Sequence, residues 1–311
     1  MLQYTEFTQK ITEAYVLLTS TIERKERSEE DCRNAFKDIV KICIPSVNNL
    51  LGNKAWGNLW EKYQQRAEHI LQNPEVQNNC IYFIDYALFF TDNRFSNEEK
   101  MQVYKLFNAF DNTIQALIYI IKSDKTLINK FQEKLNAKIK AAITDGPKKA
   151  DNSNNSSFKN FVNEIAFFYH MAIHKEFELE DIESPLPNGK TVDFKLRWGN
   201  DVYLIDTITI HCTARQNDIN RFIEGKVNDK FSSKTKNIEE GSILGQFKVL
   251  PIIEYNDSRL FDYAPMLPEA ICFPPMMPLL HEEGGKSLII LEQLPLDEII
   301  KNQFIKNDEN I

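Results

Sequence analysis

The sequence predicts an all-α region over residues 1–144, followed by an α/β region over residues 158–311. Apolar residues in the first region recur at helical spacing, and no alternating run of any length interrupts them. Residues 145–157 combine Gly, Pro, Asp, Asn and Ser with few apolar residues, as a linker does. Alternating runs begin only after this linker, and they predict a mixed sheet flanked by helices.

The helices of the first region are predicted from apolar stripes and from the residues that interrupt them. One stripe runs from Phe7 to Leu18 and another from Phe36 to Cys43. Pro45 stops the second helix, because proline lacks the N–H that a helix interior needs. Ser96 resembles an N-cap before two glutamates. Further helices are expected over residues 50–71, 101–121 and 125–143, and residues 81–90 are densely apolar.

The second region alternates helices with strands. A helix is expected over residues 158–174, and the next segment leads to an Asn-Gly turn at Asn188. The expected strands and the second helix follow in order: strand 191–197, strand 202–210, helix 216–231, strand 247–254 and strand 287–291. The Pro-rich stretch before the last strand is interpreted as irregular.

Composition excludes several classes of protein. The chain is 42% hydrophobic and 26% charged, which is typical of a globular protein and not of a disordered one. No apolar run reaches the roughly 18 residues of a membrane span, and the first residues lack a signal-peptide pattern. We therefore expect a cytoplasmic protein with no membrane association. Five widely spaced cysteines without a C-x-x-C pair predict free thiols. Glycine-rich phosphate loops and G-x-S-x-G motifs do not occur.

Charge is divided unevenly along the chain. Residues 1–150 hold 21 Lys/Arg and 19 Asp/Glu, a net charge of +2, whereas residues 151–311 hold 16 and 26, a net charge of −10. The acidic half suits a region that collects carboxylates for a metal ion, or simply a solvated acidic surface. Two roles are open for the basic stretch 122–149 and its helical domain: following a nucleic-acid backbone and binding a protein partner.

The strongest anomaly in the sequence is Asp206. It shares a strand face with apolar residues, where a carboxylate costs several kcal/mol unless it is paired or bound to metal. The preceding strand carries Asp193, and a four-residue turn joins the two strands. Both aspartates can therefore lie side by side, and carboxylate oxygens are the ligands that Mg²⁺ prefers.

These residues resemble the core of the PD-(D/E)xK nuclease family, the restriction-endonuclease-like fold, whose order is helix–strand–strand–strand–helix–strand. Residues 158–255 carry the resemblance. The segment Asn188-Gly-Lys-Thr-Val-Asp193-Phe resembles the family's PDF segment, with Val192 in place of the proline, and Asp206 stands at the (D/E)-x-K position. Glu164 matches the acidic residue that many members carry on the preceding helix.

The resemblance implies an endonuclease that cleaves DNA in restriction or phage defence, with Glu164, Asp193 and Asp206 binding Mg²⁺ or Mn²⁺. Ile208 occupies the place of the motif lysine. Some family members take the lysine from the following helix, where Lys226 and Lys230 are the two candidates. The implied catalytic residues are then both aspartates and one of these lysines.

Another class of function is also open. The missing motif lysine and the charge of −10 favour a catalytically inactive nuclease fold that serves as an interaction module in a larger assembly. The buried Asp206 and the lysine pair favour the enzyme. The residues leave both DNA and RNA open as the nucleic acid.

Two histidine features are weaker. His170 and His174 are four residues apart on a helix, a spacing that can chelate zinc, but Met171 stands where H-E-x-x-H has its glutamate. The sequence shows no third ligand nearby, so it does not favour a zinc site. His211 follows the Asp206 strand and is interpreted as a strand end rather than as an acid or base.

Overall fold

The computed structural model of the chain describes residues 2–24, 28–72, 90, 95–144, 157–174, 177–213, 218–239, 241–242, 245–255, 260–298 and 300–301. The predicted linker, apart from its last residue, and the apolar stretch 81–89 lie outside these residues. The division at 145–157 therefore stays a prediction.

Helices occupy the described part of the first half, as the sequence predicts. They are α1 (Tyr4–Arg24), α2 (Glu29–Cys43), α3 (Pro45–Leu50), α4 (Asn53–Gln72), α5 (Asn97–Ile121) and α6 (Lys125–Thr144). Pro45 does end α2, but it also opens the short helix α3, because proline at the first helical position has no N–H to leave unpaired. The predicted cap at Ser96 is confirmed: its hydroxyl accepts a hydrogen bond from the Glu99 N–H at 3.2 Å.

The second half contains α7 (Ser157–Ile173), α8 (Ile219–Thr235) and a six-stranded mixed sheet. The strands lie in chain order in the sheet: β1 (Phe177–Pro185), β2 (Thr191–Trp198), β3 (Asp201–Cys212), β4 (Gln246–Tyr255), β5 (Met276–Glu283) and β6 (Lys286–Gln293). The pairs β1–β2 and β2–β3 are antiparallel, whereas β3–β4 and β4–β5 are parallel. A mixed sheet flanked by a helix is therefore confirmed.

Two strands, β1 and β5, were not predicted, and β1 occupies the segment before the Asn188 turn, to which no element was given. The Pro-rich stretch interpreted as irregular contains β5, which includes Pro278. Proline cannot donate a ladder hydrogen bond, so it is a poor sign of a strand. On the side of β4, the registered pair of β5 is Met276 with Ile252, two residues before Pro278.

Helix α8 is the crossover that joins the parallel strands β3 and β4. A crossover helix packs on one face of the sheet that it connects. Ile223 and Val227 of α8 are buried in one apolar cluster with Leu204, Ile210 and Val249 of β3 and β4. Since side chains alternate along a strand, Asp206 lies on this same face of β3.

The chain forms two compact units. One comprises Met1–Tyr119, Phe131–Val162 and Leu280–Leu288, and the other comprises Ile120–Lys130, Asn163–Leu279 and Ile289–Ile311. All the predicted site residues belong to the second unit. Among the described helices, none combines the length and the apolar character that crossing a membrane requires.

Candidate functional site

Asp206 is the centre of a buried charge cluster on β3. Its exposed fraction is 1%. Lys230 Nζ lies 2.8 Å from Asp206 Oδ2, and Lys234 Nζ lies 3.1 Å from Oδ1. The carboxylate that the sequence marks as anomalous is thus compensated by two ammonium groups, which a buried charge requires.

The two lysines reach Asp206 because they continue the buried stripe of α8. Ile223, Val227, Lys230 and Lys234 follow one another at intervals of four, three and four residues, so they share one helix face. Lysine can lay its aliphatic stem along apolar surface and extend its ammonium group beyond it. This spacing is the sequence signal that identifies Lys234, which the prediction missed.

Lys226, one of the two lysines predicted for the site, is not part of this cluster. Its position lies roughly 70° around the helix from the stripe, at 3.6 residues per turn. Its ammonium group lies over the ring of Phe222, 5.5 Å from the ring centroid. Of the two predicted lysines, the structure brings only Lys230 to Asp206.

The turn between β1 and β2, residues 186–190, holds the C-terminal end of α8. Asn188 Nδ2 donates hydrogen bonds to the carbonyl oxygens of Lys234 and Lys236, at 2.8 and 2.9 Å. Gly189 has a φ of +78°, which glycine adopts without strain. Lys234 Nζ also donates to the carbonyl oxygen of Thr191 at 2.5 Å. These contacts fix the last turn of α8, and with it Lys234.

Asp193 lies on β2 with an exposed fraction of 9%. Its Oδ2 accepts hydrogen bonds from the backbone N–H of Thr207 at 2.8 Å and from the Thr207 hydroxyl at 2.6 Å. The β2–β3 register ends at Phe194 and Ile205, and one further step would set Asp193 opposite Asp206. The Asp193 side chain therefore accepts the hydrogen bond of a β3 N–H, that of Thr207, just beyond the last backbone pair of β2 and β3.

The two aspartates interact electrostatically. Burial raises the pKa of Asp206 above its ordinary value, and the charge of Asp193 raises it further. Lys230 and Lys234 act in the opposite direction, because positive charge stabilises the carboxylate. Asp193 thus acts electrostatically on the cluster of Asp206 and its two lysines, and the net direction of the Asp206 pKa is upward.

Glu164 lies on α7 with an exposed fraction of 8%. Its neighbour Asn163 donates hydrogen bonds to Glu254 Oε1 at 2.7 Å and to Thr209 Oγ1 at 3.3 Å. Thr209 is three residues from Asp206 on β3, so strand alternation sets these side chains on opposite faces. Helix α7 therefore approaches β3 from the face opposite α8.

Within the described ranges, no three His, Cys, Asp or Glu side chains form a group that could hold a metal ion. The structure thus does not join Glu164 with Asp193 and Asp206 into the predicted three-carboxylate set. In donor chemistry, however, the two aspartates fit a hard divalent cation, because they offer carboxylate oxygens and carry adjacent like charges. The fit is to Mg²⁺ or Mn²⁺ rather than to a metal that prefers sulfur.

His211 does not end its strand, as β3 continues to Cys212. Its Nδ1 lies 2.9 Å from Glu254 Oε2, on the residue that faces it in the parallel β3–β4 register. Through Asn163, the same glutamate is connected to α7. This network fastens α7 to the sheet.

No protein-family model matches the chain, and comparisons with curated proteins and with solved structures also give no match. The order α7–β1–β2–β3–α8–β4 is the order helix–strand–strand–strand–helix–strand that the resemblance implies. Membership of the nuclease family stays a prediction.

Proposed function

We propose that the chain is a divalent-metal-dependent endonuclease of the restriction-endonuclease-like fold, which hydrolyses DNA phosphodiester bonds. The proposed site comprises Asp193, Asp206, Lys230 and Lys234. The observation that carries the proposal is the lysine pair, one helical turn apart, at ion-pair distance from a buried aspartate whose pKa is also raised by the charge of Asp193. A cytoplasmic role in restriction or phage defence belongs to the same proposal.

Asp193 and Asp206 would hold Mg²⁺ or Mn²⁺. Glu164, which the resemblance also implies, is left out of the proposed site because α7 approaches β3 from the face opposite α8. When bound, such an ion polarises a phosphoryl oxygen and lowers the pKa of the attacking water. Asp193 is already anchored through Oδ2 to Thr207, which fixes its carboxylate before any ligand arrives. A carboxylate that is already fixed loses little conformational entropy when it binds a metal ion.

The lysines of α8 would take the role of the motif lysine that Ile208 replaces. A phosphate between the strands and α8 would compete with Asp206 for their ammonium groups, which stabilise the negative charge that develops on phosphoryl oxygens. Lys230 is the more exposed of the two, at 29% against 20%, and Lys234 is additionally bonded to the Thr191 carbonyl. We therefore assign the phosphate contact to Lys230 and the positioning of Asp206 to Lys234.

The test uses the full chain with Mg²⁺ or Mn²⁺ on supercoiled plasmid, linear duplex and single-stranded DNA. Lys230→Met should slow cleavage by about 10²- to 10³-fold, the typical cost of one electrostatic donor. Cation binding, measured by calorimetry, should persist in this variant because both aspartates remain. Asp206→Asn should abolish cleavage and weaken cation binding.

Lys226→Met is the matched control, because Lys226 lies one turn away on the same helix and contacts Phe222 instead. It should cleave at the wild-type rate. Equal losses in Lys226→Met and Lys230→Met would contradict the assignment. Cleavage that survives Asp206→Asn would place the activity elsewhere.

The second candidate is a non-catalytic interaction module with the same fold. Two observations favour it: the described residues contain no three-ligand metal group, and both lysines already neutralise Asp206. In that case the charge cluster is structural. A wild-type chain that binds neither cation and leaves every substrate uncut would establish this role in place of the nuclease.

A further inference from the structure

Two imidazole rings lie together at the C-terminal end of α7. His170 is in the last turn of α7, and His174 is the first residue after the helix, so the two histidines are four residues apart. Their ring centroids are 4.4 Å apart, with an angle of 51° between the planes. Residues four apart on a helix face the same side, which brings the two rings together on one surface at the end of α7.

His170 is held in its neutral form. Burial lowers the pKa of His170 to about 4, and the neighbouring His174 contributes in the same direction. A metal ion binds the neutral imidazole, so protons compete little for this nitrogen near pH 7. The repulsion between two protonated rings is also avoided when one cation binds both.

The distance between the rings suits a shared ion. Zinc–nitrogen bonds measure about 2.1 Å, which sets each ring centroid about 3.2 Å from the ion. Two such rings have centroids about 4.5 Å apart at the right angle of a square-planar Cu²⁺ or Ni²⁺ site, and about 5.2 Å apart at the tetrahedral angle of zinc. The observed 4.4 Å is close to the right-angle separation and within about 1 Å of the tetrahedral one.

We propose that His170 and His174 form a binding site for a borderline transition-metal ion of the Zn²⁺, Ni²⁺ or Cu²⁺ class. Imidazole nitrogen prefers these ions, whereas Mg²⁺ prefers oxygen, so the site is chemically distinct from Asp193 and Asp206. The protein supplies two ligands, and water completes the coordination. This site does not depend on the proposed nuclease function.

The experiment titrates the full chain with Zn²⁺ by calorimetry in saturating Mg²⁺, so that the carboxylate site does not contribute. One Zn²⁺ per chain should bind. Loss of a residue that only supports a metal ligand weakens metal binding by roughly 10- to 100-fold, and loss of a ligand should cost at least as much. His170→Gln and His174→Gln should therefore each weaken Zn²⁺ binding by at least this factor. With Cu²⁺, electron paramagnetic resonance should show coupling to two nitrogen ligands in the wild type.

His281→Gln serves as the matched control, because this histidine lies on β5 and is not part of the His170–His174 pair. It should leave Zn²⁺ binding unchanged, and so should Asp206→Asn. Circular dichroism checks that each glutamine variant is folded. The proposal fails if the wild type binds no Zn²⁺ in saturating Mg²⁺, or if both glutamine variants bind it as tightly as the wild type.

Discussion

Replacing both lysines that contact Asp206 should destabilise the fold by more than the sum of the two single replacements. In either single variant, Lys230→Met or Lys234→Met, the remaining ammonium group still neutralises the carboxylate. In the double variant, Asp206 has no cationic partner at an exposed fraction of 1%, so it must either carry an unpaired buried charge or take up a proton.

The distances set the size of the effect. At an effective dielectric constant of about 20, charges 2.8 and 3.1 Å apart attract each other by about 6 and about 5 kcal/mol before desolvation is counted. Desolvation and side-chain ordering cancel most of this, so each single variant should lose about 1 to 2 kcal/mol of unfolding free energy. The double variant should lose more, about 5 kcal/mol, because it leaves a buried unpaired charge.

Urea denaturation of the four proteins gives the free energies and their coupling. Adding Asp206→Asn to the double variant should restore part of the loss, because the amide carries no charge. The double variant should also lose stability as pH rises above about 4, since its buried carboxyl then keeps a proton that the unfolded chain releases. Additive single and double effects, with no recovery by Asp206→Asn, would refute the reasoning.

Two further predictions concern stability. Because His170 has a folded-state pKa of about 4, the unfolded chain binds an extra proton between about pH 6.5 and 4, and the contribution of His170 to wild-type stability should fall by about 2 to 3 kcal/mol as the pH drops over that range. Urea denaturation at pH 6.5 and at pH 4 measures the unfolding free energy, and the His170→Gln variant should not show the decrease that His170 causes. Asp111 is fully buried and accepts a hydrogen bond from the Ser46 N–H at 2.8 Å, so Asp111→Ala should cost about 1 to 3 kcal/mol in thermal unfolding. Exposed Asp38→Ala should cost under about 0.5 kcal/mol, and equal losses would contradict the burial argument.

The elements around the site were predictable because their patterns are strong. Alternation identifies β2 and β3, and a carboxylate among the apolar residues of β3 predicts that Asp206 is either paired or bound to metal; the structure pairs it with two lysines. Lys234 needed a further step, which was to extend the stripe of Ile223 and Val227 by two helical turns. Strand β5 was hidden by Pro278, because neighbouring strands, not local propensity, decide whether such a segment pairs.

Whether Glu164 lies near Asp193 and Asp206 was harder to predict from the sequence. Glu164 was chosen because a family pattern has an acid on the preceding helix, and a pattern fixes the order of residues but not the face from which a helix approaches. Helix α7 bonds through Asn163 to Thr209 and Glu254, on the side of β3 opposite α8. Only the three-dimensional course of the chain reveals that difference.

The contact of Asn188 with α8 restricts the length of a surface loop. Surface turns commonly tolerate insertions, because few bonds depend on their course. Here an added residue between Leu186 and Lys190 would move Asn188 away from the carbonyl oxygens of Lys234 and Lys236, while the β1–β2 pairs beyond the turn kept their register. The end of α8 would then fray, and Lys234 lies in the turn that would open. The charge balance at a buried aspartate therefore depends on the residue count of an exposed hairpin.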